Sequence, residues 1–179
     1  MKAIVVSIAL LASALHVHAQ GAWQEKVRAE LPLMGHRNWI VIVDSAYPLE
    51  SGAGVETIDT EQGQMVVLDY VLHAIQSSRH VRPLVHTDAE LPYVPENEAP
   101  GVDRYRAQLQ KRLAGMPVDS VLHQTLIDRL NELGKSFHVL VLKTTMTLPY
   151  TSVFVQLDCK YWSAESEKRL RARMGGALQ

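Results

Sequence analysis

Two residues with acid-base capacity flank the most apolar run of the chain. His36 lies in Met34-Gly35-His36-Arg37-Asn38, and Asp44 follows Trp39-Ile40-Val41-Ile42-Val43, eight residues further on. Histidine titrates near neutrality and a carboxylate can orient it or fix a hydroxyl, so the pair suits general acid-base work. Polar residues also close two later apolar runs, with His86, Thr87 and Asp88 at the end of one and Lys143, Thr144 and Thr145 at the end of the other. In an open α/β sheet, ligands bind outside the carboxyl ends of the strands, so these residues mark the rim of a candidate crevice.

Competing chemistries are weaker. His86, Asp88 and Glu90 alternate along an extended segment and lack the paired histidines or cysteines of a closed metal site. His73, His80, His123 and His138 read as surface or core histidines, and Cys159, among Asp158, Lys160 and Tyr161, has no histidine near it in sequence to make a thiolate. Trp39, Tyr47, Tyr93 and Tyr150 offer aromatic faces to a ligand, although aromatic residues beside strands commonly belong to the core.

The elements that must position these residues are legible from periodicity. Strands are expected at Trp39 to Val43, Arg82 to His86, His138 to Leu142 and Ser152 to Leu157. Met65, Leu68, Leu72 and Ile75 share one helical face, as do Val102, Tyr105, Leu109 and Leu113. A third helix is expected from about Asp119 through Leu122, Leu126, Leu130 and Leu133, with Gly134 as a left-handed cap, and a fourth from Ala164 to Met174 behind an N-cap at Ser163. Strands separated by helices need crossover connections, which predicts a three-layer α/β/α domain with a mostly parallel central sheet. Asp88 to Gly101 is a long loop, of the kind often used as a lid or rim.

Lys2, the uncharged apolar run Ala3 to Leu15 and the small residues around Ala19 form the pattern of a secretory signal. Cleavage after Ala19 leaves residues 20–179 as a single domain, and implies export, with the periplasm as the expected location. The apolar run falls short of the roughly 20 residues that a spanning helix needs, so no stable membrane insertion is expected after cleavage. With a single cysteine the chain forms no internal disulfide, and stability must come from packing or oligomerisation. A net charge of -1 makes nucleic acid a poor partner, and the basic stretch Lys168 to Arg173 reads as a solvated helix face.

The segment from Leu33 to Pro48, with Gly35-His36, a polar turn, an apolar strand, Asp44 and Pro48, resembles the N-terminal signature of the ribose pyranase and fucose mutarotase (RbsD/FucU) family. Val55 to Asp59 leading into a helix, the strand Arg82-Pro83-Leu84-Val85 and the helix opening Val102 to Arg106 follow in the family's order. The resemblance implies a cofactor-independent isomerase that interconverts ring forms or anomers of a free monosaccharide. In it His36 is the proton donor and Asp44 holds the sugar. Lys143 stands near the family's basic position, and Tyr150-Thr151-Ser152 stands where the family has Tyr-Gly-Asn or Tyr-Ala-Asn. Lys143, Tyr150, Ser152, Tyr47 and His86 are therefore the candidate substrate-binding residues. Serine in place of asparagine, and a shorter connection before Tyr150, leave an alternative of a different class: an exported monosaccharide-binding or transport-accessory protein without turnover. The family's rings of identical subunits imply a homo-oligomer here, a decamer in the family's pattern, with the tyrosine motif completing a neighbour's site.

Overall fold

Trp39–Val43 forms β1, a strand with all five residues buried, which requires cover on both faces of the sheet. The computed structural model describes residues 21–175, so the expected signal segment, residues 1–19, lies outside the described residues. After a helix over 21–30, α1, come β1, β2 (Val55–Asp59), α2 (Gln64–Ser77), β3 (Val81–Asp88), α3 (Val102–Leu113), β4 (Val118–Val121), α4 (His123–Leu133), β5 (Val139–Lys143), β6 (Val153–Cys159) and α5 (Ala164–Gly175). The sheet order is β2-β5-β1-β6-β3-β4.

One core lies between the sheet and α1, α2 and α3, built on Trp23, Val27, Ile40, Ile42, Leu68, Val71, Tyr105 and Leu109. The opposite face carries a second core, in which Trp39, Val41, Val43 and Phe154 meet Tyr47 and α4's Leu126 and Leu130. The alternation of β1 between these cores gives the three layers. β1 pairs in parallel with β5 and antiparallel with β6, and β6 is also antiparallel to β3. The nine-residue connection 144–152 between β5 and β6 is too short for a helical crossover. It instead passes over the carboxyl end of β1, with Thr144 N donating to Val43 O at 2.9 Å and Ser45 N to Met146 O at 2.8 Å. This passage forms the roof of the site described below.

The structure adds three elements to those read from the sequence and corrects one boundary and one cap. α1, β2 and β4 were not anticipated as elements by periodicity, because β2 and β4 are short polar edge strands. Val118–Val121 pairs with Val85–Asp88, and this ladder, following Pro117, keeps the segment extended where the leucine spacing predicts helix. The helix accordingly starts at His123, and Leu122 is exposed instead of entering its buried face. Gly134 is right-handed, with φ -61°, so it is no left-handed cap. Its small size matters for another reason: a Cβ on Gly134 would lie 2.8 Å from Val55 Cγ2, and the chain packs as closely on the other side, where a Cβ at Gly54 would lie 2.4 Å from Gly134 O and 2.5 Å from Phe137 O. Ser163 does cap α5, its Oγ accepting from Ser166 N at 3.0 Å, yet α5 buries none of its residues. Among the described residues, no helix is long and apolar enough to cross a membrane.

Candidate active site

The segment after β1, the start of α4 and the 144–152 connection enclose a crevice of about 510 Å³ lined by Asp44, Tyr47, His123, Leu148, Pro149 and Tyr150, among others. Asp88, the last residue of β3, has a side chain with 0 % exposure and approaches the His123 ring, Oδ1 to Nδ1, at 2.9 Å. Burial pushes the Asp88 carboxyl up from its ordinary value, against the pull of His123. The hydrogen bond from Asp88 in turn pushes the imidazole of His123 up, outweighing its own burial. A ring that gives Nδ1–H to a fixed carboxylate keeps Nε2 for a substrate, in the carboxylate-imidazole arrangement that general acid-base chemistry uses. The backbone supports the same geometry, since Glu90 accepts from His123 N with both carboxylate oxygens at 3.1 Å, closing the exposed start of α4.

Tyr150 packs edge-on against His123, with ring centroids 5.8 Å apart, and holds a left-handed backbone, φ 55°. A bulky residue in that conformation stores strain and persists only where its surroundings enforce it. They do so here: Thr151 O accepts from Tyr105 Oη at 2.6 Å and from Gln64 Nε2, and Thr151 Oγ1 donates to Leu148 O at 2.9 Å. Ser152 is buried, and its hydroxyl has no partner among the described residues.

The remaining sequence candidates are distributed differently from their spacing along the chain. Tyr47 lines the crevice, but its hydroxyl donates to Glu50; burial first and this contact second raise its pKa far above the ordinary tyrosine range. Lys143 Nζ donates to Tyr47 O at 2.6 Å, so the lysine fastens the loop that carries Tyr47 and is absent from the crevice lining. Thr144 is likewise spent on Val43 O. His86 stacks on Trp39 at 5.2 Å within the second core, and burial lowers its pKa. It is a buried histidine of the second core, 3.6 Å from Asp119 across the β3–β4 pair, and does not line the crevice.

His36 stands apart from all of these. It is exposed on the turn that enters β1, a turn pinned by Gly35 N donating to Asn38 Oδ1 at 2.7 Å and by Arg37 N donating to Leu157 O at 3.2 Å. The span from Asn38 to Asp44 at about 3.3 Å per residue puts roughly 20 Å between the two ends of β1. His36 and Asp44 of one chain therefore cannot touch one monosaccharide together. The residue that spacing missed is His123. Its signal was the polar edge segment Val118 to Val121, which ends a strand where the leucine pattern had implied the interior of a helix.

Among the described residues, one cluster away from the crevice has the donor set for a cation. Glu30, Glu56 and His138 bring ligand atoms within 4.8 Å of one another, but Lys26 Nζ lies 2.7 Å from each carboxylate, so the cluster reads as an ion pair fastening α1 to β2 and β5.

A three-layer α/β domain with a carboxylate–imidazole pair beside a crevice at a sheet's carboxyl edge is the class that fold and site define. The chain belongs to the RbsD / FucU transport protein family, whose profile matches residues 19–158. The structure of Bacillus subtilis RbsD complexed with D-ribose superposes with a TM-score of 0.54 at 17% identity, covering 74% of this chain and 91% of that one. FucU from Bifidobacterium longum gives 0.51 at 18%, covering 74% and 92%. At these identities the likeness carries the fold. No curated protein sequence matches the chain.

Proposed function

We propose that this protein is a free-sugar isomerase, a mutarotase or pyranase that works without cofactor at the crevice of Asp44, His123 and Tyr150. The observation that carries the proposal is the Asp88–His123 pair opening into that crevice. Membership of the family and its sugar-binding structural neighbour support the substrate class. Neutral His123 Nε2 takes the proton of the anomeric hydroxyl while Asp44 holds an adjacent hydroxyl. The ring oxygen receives a proton as its bond to the anomeric carbon breaks, which leaves the open-chain aldehyde. Closure on the other face gives the other anomer, and closure by a different hydroxyl gives the other ring size. Positioned proton transfer of this kind supplies about 10² to 10⁴ in rate, enough for a reaction that is already easy in water.

The proton donor in this reading is His36 of a second copy. An exposed histidine on a pinned turn, unable to reach its own crevice, is well placed to enter another chain's, and Asp44 supplies the charge to meet it. Here the tyrosine lines its own chain's crevice and the histidine is the visiting residue. The sequence of residues 1–19 supports an exported, periplasmic location, which mass spectrometry of the mature protein tests by a start at Gln20.

Saturation-transfer NMR with ribose, fucose, galactose and glucose tests the activity, the expected result being faster exchange for at least one sugar. The second reading, a sugar binder without turnover, draws support from Ser152, whose buried hydroxyl does not replace an amide reaching the sugar. Calorimetric binding with no exchange enhancement would favour it, and absence of both would reject the site.

A further inference from the structure

The geometry points to a second sugar compartment beside the crevice, so that the substrate is a neutral oligosaccharide turned over at its reducing end. This rests on the isomerase reading above and names the substrate class for the same site. The loop between β3 and α3 forms a concavity of about 360 Å³, lined by Glu90, Tyr93, Glu98, Pro149 and Tyr150 among others. Pro149 and Tyr150 also line the crevice, so the two spaces adjoin at that dipeptide. Glu90, in the second, holds the backbone of His123, in the first.

The lining fits a sugar ring. Tyr93 is 85% exposed and Tyr150 41%, giving two aromatic faces of the kind on which the apolar side of a pyranose stacks. Glu90 and Glu98 accept hydroxyl protons. Neither compartment is lined by lysine or arginine, and with Asp44 and Asp88 close by, the field disfavours phosphorylated or acidic sugars.

The compartment is also built in advance. Arg106 Nη1 donates to Leu91 O at 2.9 Å and to Val94 O at 2.8 Å, clasping the segment on either side of Tyr93. Glu96 accepts from Gly101 N at 2.6 Å and Asp103 N at 2.9 Å, tying the loop's far end to the start of α3. Leu91 and Ala99 are buried beneath it. Packing thus accounts for the loop's shape and leaves Tyr93 unexplained, since a large aromatic residue on a fixed loop contributes nothing to the core. A preorganised wall of this kind lowers the entropic cost of holding a second ring. A monosaccharide needs only the first compartment. A glycosidic substituent on the reacting sugar needs an exit from it, and the space across Tyr150 supplies one.

The test is anomer exchange by saturation-transfer NMR on maltose, cellobiose, lactose and xylobiose beside glucose and xylose. The expected result is at least one disaccharide with kcat/KM about tenfold above its reducing-end monosaccharide, the size of one good aromatic contact. Tyr93→Ala and, separately, Glu98→Gln should cut that ratio. Monosaccharide exchange with no disaccharide advantage, or a ratio that neither variant changes, overturns the second compartment and leaves the isomerase reading intact. Absence of exchange for every sugar overturns both.

Discussion

At the scale of single residues, the proposed function turns on a charge balance between Asp88 and His123. The hydrogen bond raises the imidazole above its ordinary value, so the ring keeps its proton to higher pH than a free histidine would. The NMR titration midpoint of His123 is therefore expected above 6.5, and Asp88→Asn should lower it. The sign for stability follows the same shift: with Asp88 ionised, His123's contribution is full below the unfolded histidine value and lost as pH rises through the folded one. If His123 is the base, the exchange rate rises through that raised midpoint, and Asp88→Asn moves the rise to lower pH. His123→Ala should lower the rate by about 10² to 10⁴, as measured by saturation transfer. The sequence offered Asp44 and Tyr150, both lining the crevice, but not the dyad. Asp88 and His123 are 35 residues apart, and only the pairing of β3 with β4 brings them together.

Elements show where sequence reading succeeds and where packing overrides it. β1, β5, α2 and α3 were legible because each buries an apolar run or stripe against a core. β2 and β4 were not, because an edge strand with one partner and a solvated face carries no such pattern. The antiparallel setting of β6 was equally silent, being fixed by the length of the 144–152 connection. Packing at the β2 edge is tight enough to test: Gly54→Ala pushes a Cβ into Gly134 O and Phe137 O, and should cost about 1 to 3 kcal/mol in urea unfolding. Leu130→Ala, which opens the second core beneath α4, should cost about 2 to 5 kcal/mol. Deleting residues 164–179 should leave the urea midpoint unchanged, since α5 buries nothing.

For the whole molecule, β1 sets the architecture of the proposed site. One end of the strand presents His36 outward and the other closes the crevice with Asp44, so the proposed reaction, which needs both, requires a site assembled between copies. The open crevice, the exposed turn and the absence of an intrachain route between them all follow from five buried residues that cannot be shortened without losing both cores. The spacing of His36 and Asp44 was visible in the sequence, but their separation was not, because a strand converts eight positions along the chain into opposite ends of a sheet. Mixing His36→Ala with His123→Ala protein and measuring anomer exchange tests this claim most directly. Each variant alone should be nearly inactive, and subunit exchange should restore a measurable fraction of the wild-type rate, because mixed assemblies contain sites with both histidines intact. A mixture as inactive as its two components would contradict a site shared between copies.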